Sequence, residues 1–254
     1  MKSLTLYITE KLKISKTQAT KHTLFPKDKY ELIKMIGKEI KANGKECNLN
    51  HIDVSGITDM SNLFNNVNFD GNISEWDVSN VTNMNSMFSA SGFKGTNSDL
   101  SMWNTAKVKK MYDMFAGCKF TGDIGTWDVS KVEDMSFMFA SSDFNGDLSD
   151  WDVSSVKIMD HMFFNSEFKG DISKWNVSSV KDMNSMFKLS KFTGDISKWD
   201  VSSVEDMNNI FRDSAFIGDL SNWKAISLFN HKVSVDMFRG SPMARRKKFW
   251  PKDQ

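Results

Sequence analysis

Tryptophan returns in this chain at a fixed beat. Trp76, Trp103, Trp127, Trp151, Trp175, Trp199 and Trp223 stand 24 residues apart, with a single gap of 27. A unit that short cannot bury its apolar face alone, so a period of this length demands that each copy stack on the next. Other positions keep the same time. Glycine lies five residues before the tryptophan in six units, from Gly71 to Gly218. Methionine follows it by eight (Met84 to Met207) and phenylalanine by twelve (Phe88 to Phe211). The long gap explains itself: Gly95 lies eight residues before Trp103, so Thr96-Asn97-Ser98 is a three-residue insertion.

One unit, Gly170 to Thr193, reads GDISKWNVSSVKDMNSMFKLSKFT. In I-x-x-W-x-V, Trp175 and Val177 alternate as in a short strand. From Val180 the apolar residues Met183, Met186 and Phe187 follow at helical spacing on one face. Ser178-Ser179 mark the switch and can cap the turn, and Gly170-Asp171 suit a reversal. The expected fold is an α/β repeat solenoid of about eight 24-residue units. Each unit would contribute one short strand to a parallel sheet and one short α or 3₁₀ segment, with Trp, Met and Phe columns filling the interior. Residues 48–240 form this array, 1–47 an N-terminal cap and 241–254 a basic tail.

The phrase G-D-I-S-x-W-D-V-S-S-V-x-D-M-x-x-M-F, in register from Trp127 to Phe139, Trp151 to Phe163 and Trp175 to Phe187, resembles the BspA-like leucine-rich repeat. That variant is associated with mycoplasma lipoproteins and is common in Bacteroidetes and their phages. The resemblance implies a right-handed leucine-rich-repeat coil and, for many members, surface display with adhesion or partner binding. The chain departs from the pattern in showing neither a signal peptide nor a lipobox cysteine.

The ends do not repeat. Leu4 to Ile14 alternates like a strand or hairpin arm. Asp28 to Asn43 places Leu32, Ile33, Ile36 and Ile40 on one helical face that Gly44 closes. At the far end Arg245, Arg246, Lys247 and Lys248 precede Phe249-Trp250, a pattern that fits either an anionic partner or a solvated tail whose tryptophan docks back on the array. Charge is segregated: residues 1–46 carry +6 and 243–254 carry +4, so the body between carries −9 of a chain whose net charge is +1.

No catalytic or metal-ligand constellation is legible. The four histidines are scattered, Cys47 and Cys118 fall in different units, and no phosphate-cradling loop or nucleophile elbow occurs. The expectation is a monomeric, non-catalytic protein without a cofactor. No stretch is apolar enough to span a membrane, and the N-terminus lacks an export signal, which points to the cytoplasm. The cell surface is the alternative if this is a mature fragment. The candidate working surface is the polar column after each tryptophan: Asp77, Asn104, Asp128, Asp152, Asn176 and Asp200. On the sheet's open face it would grip a protein partner, in a phage or host interaction. The rival functions are a BspA-like adhesin and nucleic-acid association through the basic ends.

Overall fold

The computed structural model describes residues 22–224 and 236–251. The alternating segment Leu4–Ile14 and the irregular stretch 225–235 lie outside them.

Each repeat is a succession of turns. In the unit from Gly170, the Trp175 amide donates to the Ile172 carbonyl, Val180 to Val177, Met186 to Met183 and Ser190 to Phe187, at 2.9–3.2 Å. Three of these turns open on an Asp or Asn whose side chain accepts the amide two residues on. Asp171 takes Ser173, Asn176 takes Ser178 and Asp182 takes Asn184, at 2.8–3.2 Å. The Asx turn supplies locally what a helix or strand would otherwise supply. The serines expected to cap are therefore donors, and the residue before the apolar position is the cap.

This overturns the expected α/β architecture. Among the described residues the pairing between repeats consists of isolated parallel bridges. One column of them runs through Asp59, Asn83, Lys110, Asp134, Ile158, Asp182 and Asp206, and no sheet forms. Trp-x-Val is not a strand, because both residues belong to hydrogen-bonded turns. The Met-x-x-Met-Phe run is not helical either. Only alternate amides reach back, by three residues rather than four, and two positions per described repeat are left-handed, such as Phe137 at φ 58° and Ser141 at φ 52°.

What joins the repeats is a ribbon of aligned peptide units. Met135, Phe137, Phe139 and Ser141 donate to the carbonyls of Ile158, Asp160, Met162 and Phe164, at 2.7–3.0 Å, and the next repeat continues in the same sense. Every second amide therefore points toward the following repeat, while the amides between them close turns within their own repeat. Tryptophan adds a second tie. The indole Nε1 of Trp175 donates to the Leu148 carbonyl at 2.9 Å, and Trp199 and Trp223 do the same to Ile172 and Ile196.

The Met, Phe, Trp and Val columns are buried throughout and form one continuous core. Successive Phe rings stack nearly parallel, as in Phe163–Phe187 at 5.7 Å and 8°. A second phenylalanine in each repeat packs on the first, as in Phe163–Phe168 at 4.3 Å. That second ring accounts for the periodic glycine: a Cβ at Gly170 would stand 2.7 Å from the Phe168 ring.

Both ends are closed by non-repeating chain. Helix α1, Lys29–Asn43, is capped by Asp28, which accepts the Glu31 amide, and by Gly44 at φ 85°, which donates to Ile40. It buries Leu32 and Ile36 against the first repeats, while Ile33 stays partly exposed. At the other end, 3₁₀ turns Pro242–Arg245 and Lys247–Phe249 lay Trp250 on Phe238 at 4.9 Å.

Candidate functional site

The column after tryptophan is exposed, as its position in the repeat suggests, but its oxygens have local work. Asp77, Asn104, Asp128, Asp152, Asn176 and Asp200 each accept the amide two residues on, at 3.0–3.2 Å. The hydroxyl of Ser130 and then its amide hold the Asp128 carboxyl below the usual carboxylate range, and Ser202 does the same for Asp200. Asn104 and Asn176 fill the same role, so the position asks for a side-chain oxygen rather than a charge.

The basic tail is drawn onto its own aromatic rings. Arg246 lies over Phe249 at 5.0 Å, Lys248 over the same ring at 4.6 Å, and Lys247 over Trp250 at 5.8 Å. Arg246 also donates to the Ile217 carbonyl, and the Trp250 indole donates to Met243. The Arg245, Arg246, Lys247 and Lys248 side chains stay exposed around a tail that seals the last repeat.

The repeat symmetry breaks elsewhere, on the outer side of the methionine ribbon. The position two after the first Met is left-handed in each repeat where it is described. Asn62, Ser86, Asp113, Ser185 and Asn209 occupy it at the outer repeats, whereas Phe137 and His161 occupy it at the centre. Asn, Asp and His tolerate this backbone better than other side chains, and a phenylalanine there is an outlier. The Phe137 and His161 rings stack at 4.5 Å and 4°. Tyr112 meets Phe137 edge-on at 5.9 Å from the preceding repeat, and Phe164 lies 5.4 Å from His161. Ile158, which replaces the usual Asp or Asn of the bridge column, is 37 % exposed beside them.

Carboxylates border these rings. Asp160 Oδ2 lies 3.2 Å from His161 Nδ1. Burial, followed by Asp113, Asp160 and Asp134, raises the Tyr112 phenol above its ordinary value. Burial also raises the Asp182 carboxyl, with Asp160 and Asp206 adding to it and the Asn184 amide opposing. Reading the sequence around tryptophan missed this cluster. Its signal was the pair between the two methionines, Asn or Ser in most repeats but Tyr112-Asp113, Ser136-Phe137 and Asp160-His161 in three consecutive ones.

The insertion serves the scaffold. The buried Asp70 carboxylate accepts the Lys94 and Gly95 amides and the Thr96 hydroxyl, while Asn97 donates to the Asp70 carbonyl. A shallow hollow of about 590 Å³ beside it is lined by short polar side chains and glycine. Among the described residues no three His, Cys, Asp or Glu converge as metal ligands, and no helix is long and apolar enough to cross a membrane.

No curated protein and no solved structure matches the chain. A family model does match, twice, over residues 32–148 and 140–247, a span that takes in most of α1, every tryptophan unit and the start of the terminal cap. The chain belongs to the family described as Mycoplasma protein of unknown function, DUF285.

Proposed function

We propose that this is a non-catalytic scaffold that holds a protein partner on the outer face of its methionine ribbon. The observation that carries the reading is Phe137: a ring on a left-handed backbone, in a position filled by Asn, Ser or Asp in the outer repeats. A side chain held against the local preference of its backbone points to a role outside folding, since folding alone would favour the residue used by the other repeats. The rings are grouped across three consecutive repeats, which is how a repeat array gains specificity on a common frame. The BspA-like resemblance of the W-D-V-S and D-M-x-x-M-F phrases is consistent with a binding role, but fold kinship does not choose the partner.

The test is affinity capture from the source cells, with partners identified by mass spectrometry. Wild type would be compared with a Phe137→Ser/His161→Ser variant and an Asp128→Lys/Asp152→Lys/Asp200→Lys variant. Serine already stands at the same position as Ser86 and Ser185, so the ribbon tolerates it. A partner lost with the ring variant and kept with the lysine variant is the expected result. Loss with the lysine variant alone would move the working surface to the tryptophan side and end the ribbon-face reading.

A further inference from the structure

We propose that the ring cluster recognises a basic peptide segment of its partner. A lysine or arginine head would meet the carboxylates while its aliphatic stem crosses the ring edges. This rests on the ribbon face being the working surface.

Ring geometry narrows the ligand. One face of Phe137 is covered by His161 from the following repeat, and Tyr112 from the preceding one packs against it at 65°, which leaves a flat ligand little room to stack on that ring. Edges remain. A flat sugar or nucleobase needs an open ring face for stacking, whereas the methylene stem of Lys or Arg packs along edges with its head in water. Charge selects the same class. Asp113, Asp134, Asp160 and Asp182 surround the rings, against Lys110 and Lys188. The next column out, Lys109, Glu133, Lys157 and Lys181, is net positive by two, but Lys181 is paired with Glu205 at 3.2 Å, and the charges that act on the Tyr112 phenol are all carboxylates. An acidic peptide or a phosphate backbone would meet like charge there.

The surface already practises this chemistry on a small scale. Lys188 Nζ stands over the Phe164 ring at 5.7 Å, within cation–π reach. A partner cation beside Tyr112 would repeat that contact two repeats earlier, with carboxylates in place of open solvent.

The experiment uses the full chain and three short labelled peptides, Lys-Ser, Glu-Ser and Phe-Ser, read by fluorescence anisotropy. Wild type is compared with Phe137→Ser/His161→Ser and with Asp113→Asn/Asp160→Asn, and circular dichroism melts confirm that both variants fold. The expected result is saturable binding of the Lys-Ser peptide, weakened ~10-fold or more by either variant. Equal Lys-Ser binding by wild type and the ring variant would overturn the proposal, since it would report charge alone. Ring-dependent binding of Phe-Ser or Glu-Ser would overturn the basic class while leaving the ribbon face in place. If no peptide depends on the rings, both readings fail.

Discussion

The Phe137 ring lies parallel to the His161 imidazole, 4.5 Å away, and both residues sit on left-handed backbone, at φ 58° and 55°. Two energies therefore oppose each other at Phe137. The left-handed backbone costs about 1–2 kcal/mol for a side chain of this type. Ring pairing returns about 0.5–1.5 kcal/mol. Phe137→Asn, the residue found at Asn62 and Asn209, is expected to leave stability within about 1 kcal/mol of wild type. Leu189 separates the terms, being left-handed at φ 62° and 42 % exposed. Leu189→Asn copies Asn165 and is expected to gain about 1 kcal/mol in urea unfolding. A loss of stability there would show that backbone strain is not what marks these positions.

The second phenylalanine column makes a separate claim. A Cβ at Gly170 meets the Phe168 ring at 2.7 and 2.8 Å and the Gly146 carbonyl oxygen at 3.2 Å. Phe168 cannot swing away, because Phe144 and Phe192 stack on it from either side and Phe163 lies 4.3 Å off. Gly170→Ala is thus expected to cost about 1–3 kcal/mol by overpacking. Gly56, with nothing within 4 Å, is the control, and its alanine variant should unfold within about 0.5 kcal/mol of wild type. Equal midpoints for the two variants would discard the packing account of the periodic glycine.

The period and the core columns were legible because burial repeats wherever Trp, Met and Phe repeat, and helix α1 because its apolar residues keep helical spacing between Asp28 and Gly44. The backbone between them was not. Trp175-x-Val177 satisfies the alternation of a strand, and Val180, Met183, Met186 and Phe187 satisfy the spacing of a helix, yet the chain makes neither. The discriminating cue was polar: Asp171, Asn176 and Asp182 each stand two residues before a Ser or Asn, the signature of an Asx turn. Gly170 was misread for a related reason. Its backbone does not need the left-handed region, and the ring that excludes a Cβ comes from Phe168, two residues before it. The ring cluster escaped notice because its members are ordinary residues, and only comparison of the same position across repeats makes Phe137 anomalous.

Tryptophan ties repeats through one hydrogen bond as well as by area. The Leu148 carbonyl accepts both the Trp175 indole at 2.9 Å and the Trp151 amide at 3.2 Å. Trp175→Phe removes the first bond and keeps the second, so the carbonyl is not orphaned. The expected loss is about 1–2 kcal/mol, against about 3–5 kcal/mol for Trp175→Ala, which also leaves a cavity. Thermal and urea unfolding of the two variants would separate bond from volume. Equal losses would mean that the indole N–H contributes nothing to the stack.

Acid should reveal which carboxylates hold the turns. Hydrogen bonds from Ser130 and Ser202 depress the Asp128 and Asp200 carboxyls in the folded chain. A depressed group adds stability above its unfolded value, about pH 4, and that stability is lost as pH falls through the folded value. Asn keeps the accepting oxygen, as Asn104 and Asn176 show, but does not titrate. Asp128→Asn/Asp200→Asn is therefore expected to unfold near the wild-type urea midpoint at pH 7 and to lose less on descent to pH 3. Asp182 has the opposite sign. Burial raises it, so the folded chain binds its proton more tightly, and stability falls as pH rises from the unfolded value through the raised one. Asp182→Asn keeps the acceptor for the Asn184 amide and should stabilise the chain at pH 7 but not at pH 3. Urea midpoints of wild type and the two variants at both pH values give the comparison. If both variants shifted the acid limb in the same direction, the distinction between exposed turn carboxylates and the half-buried one beside the rings would fall.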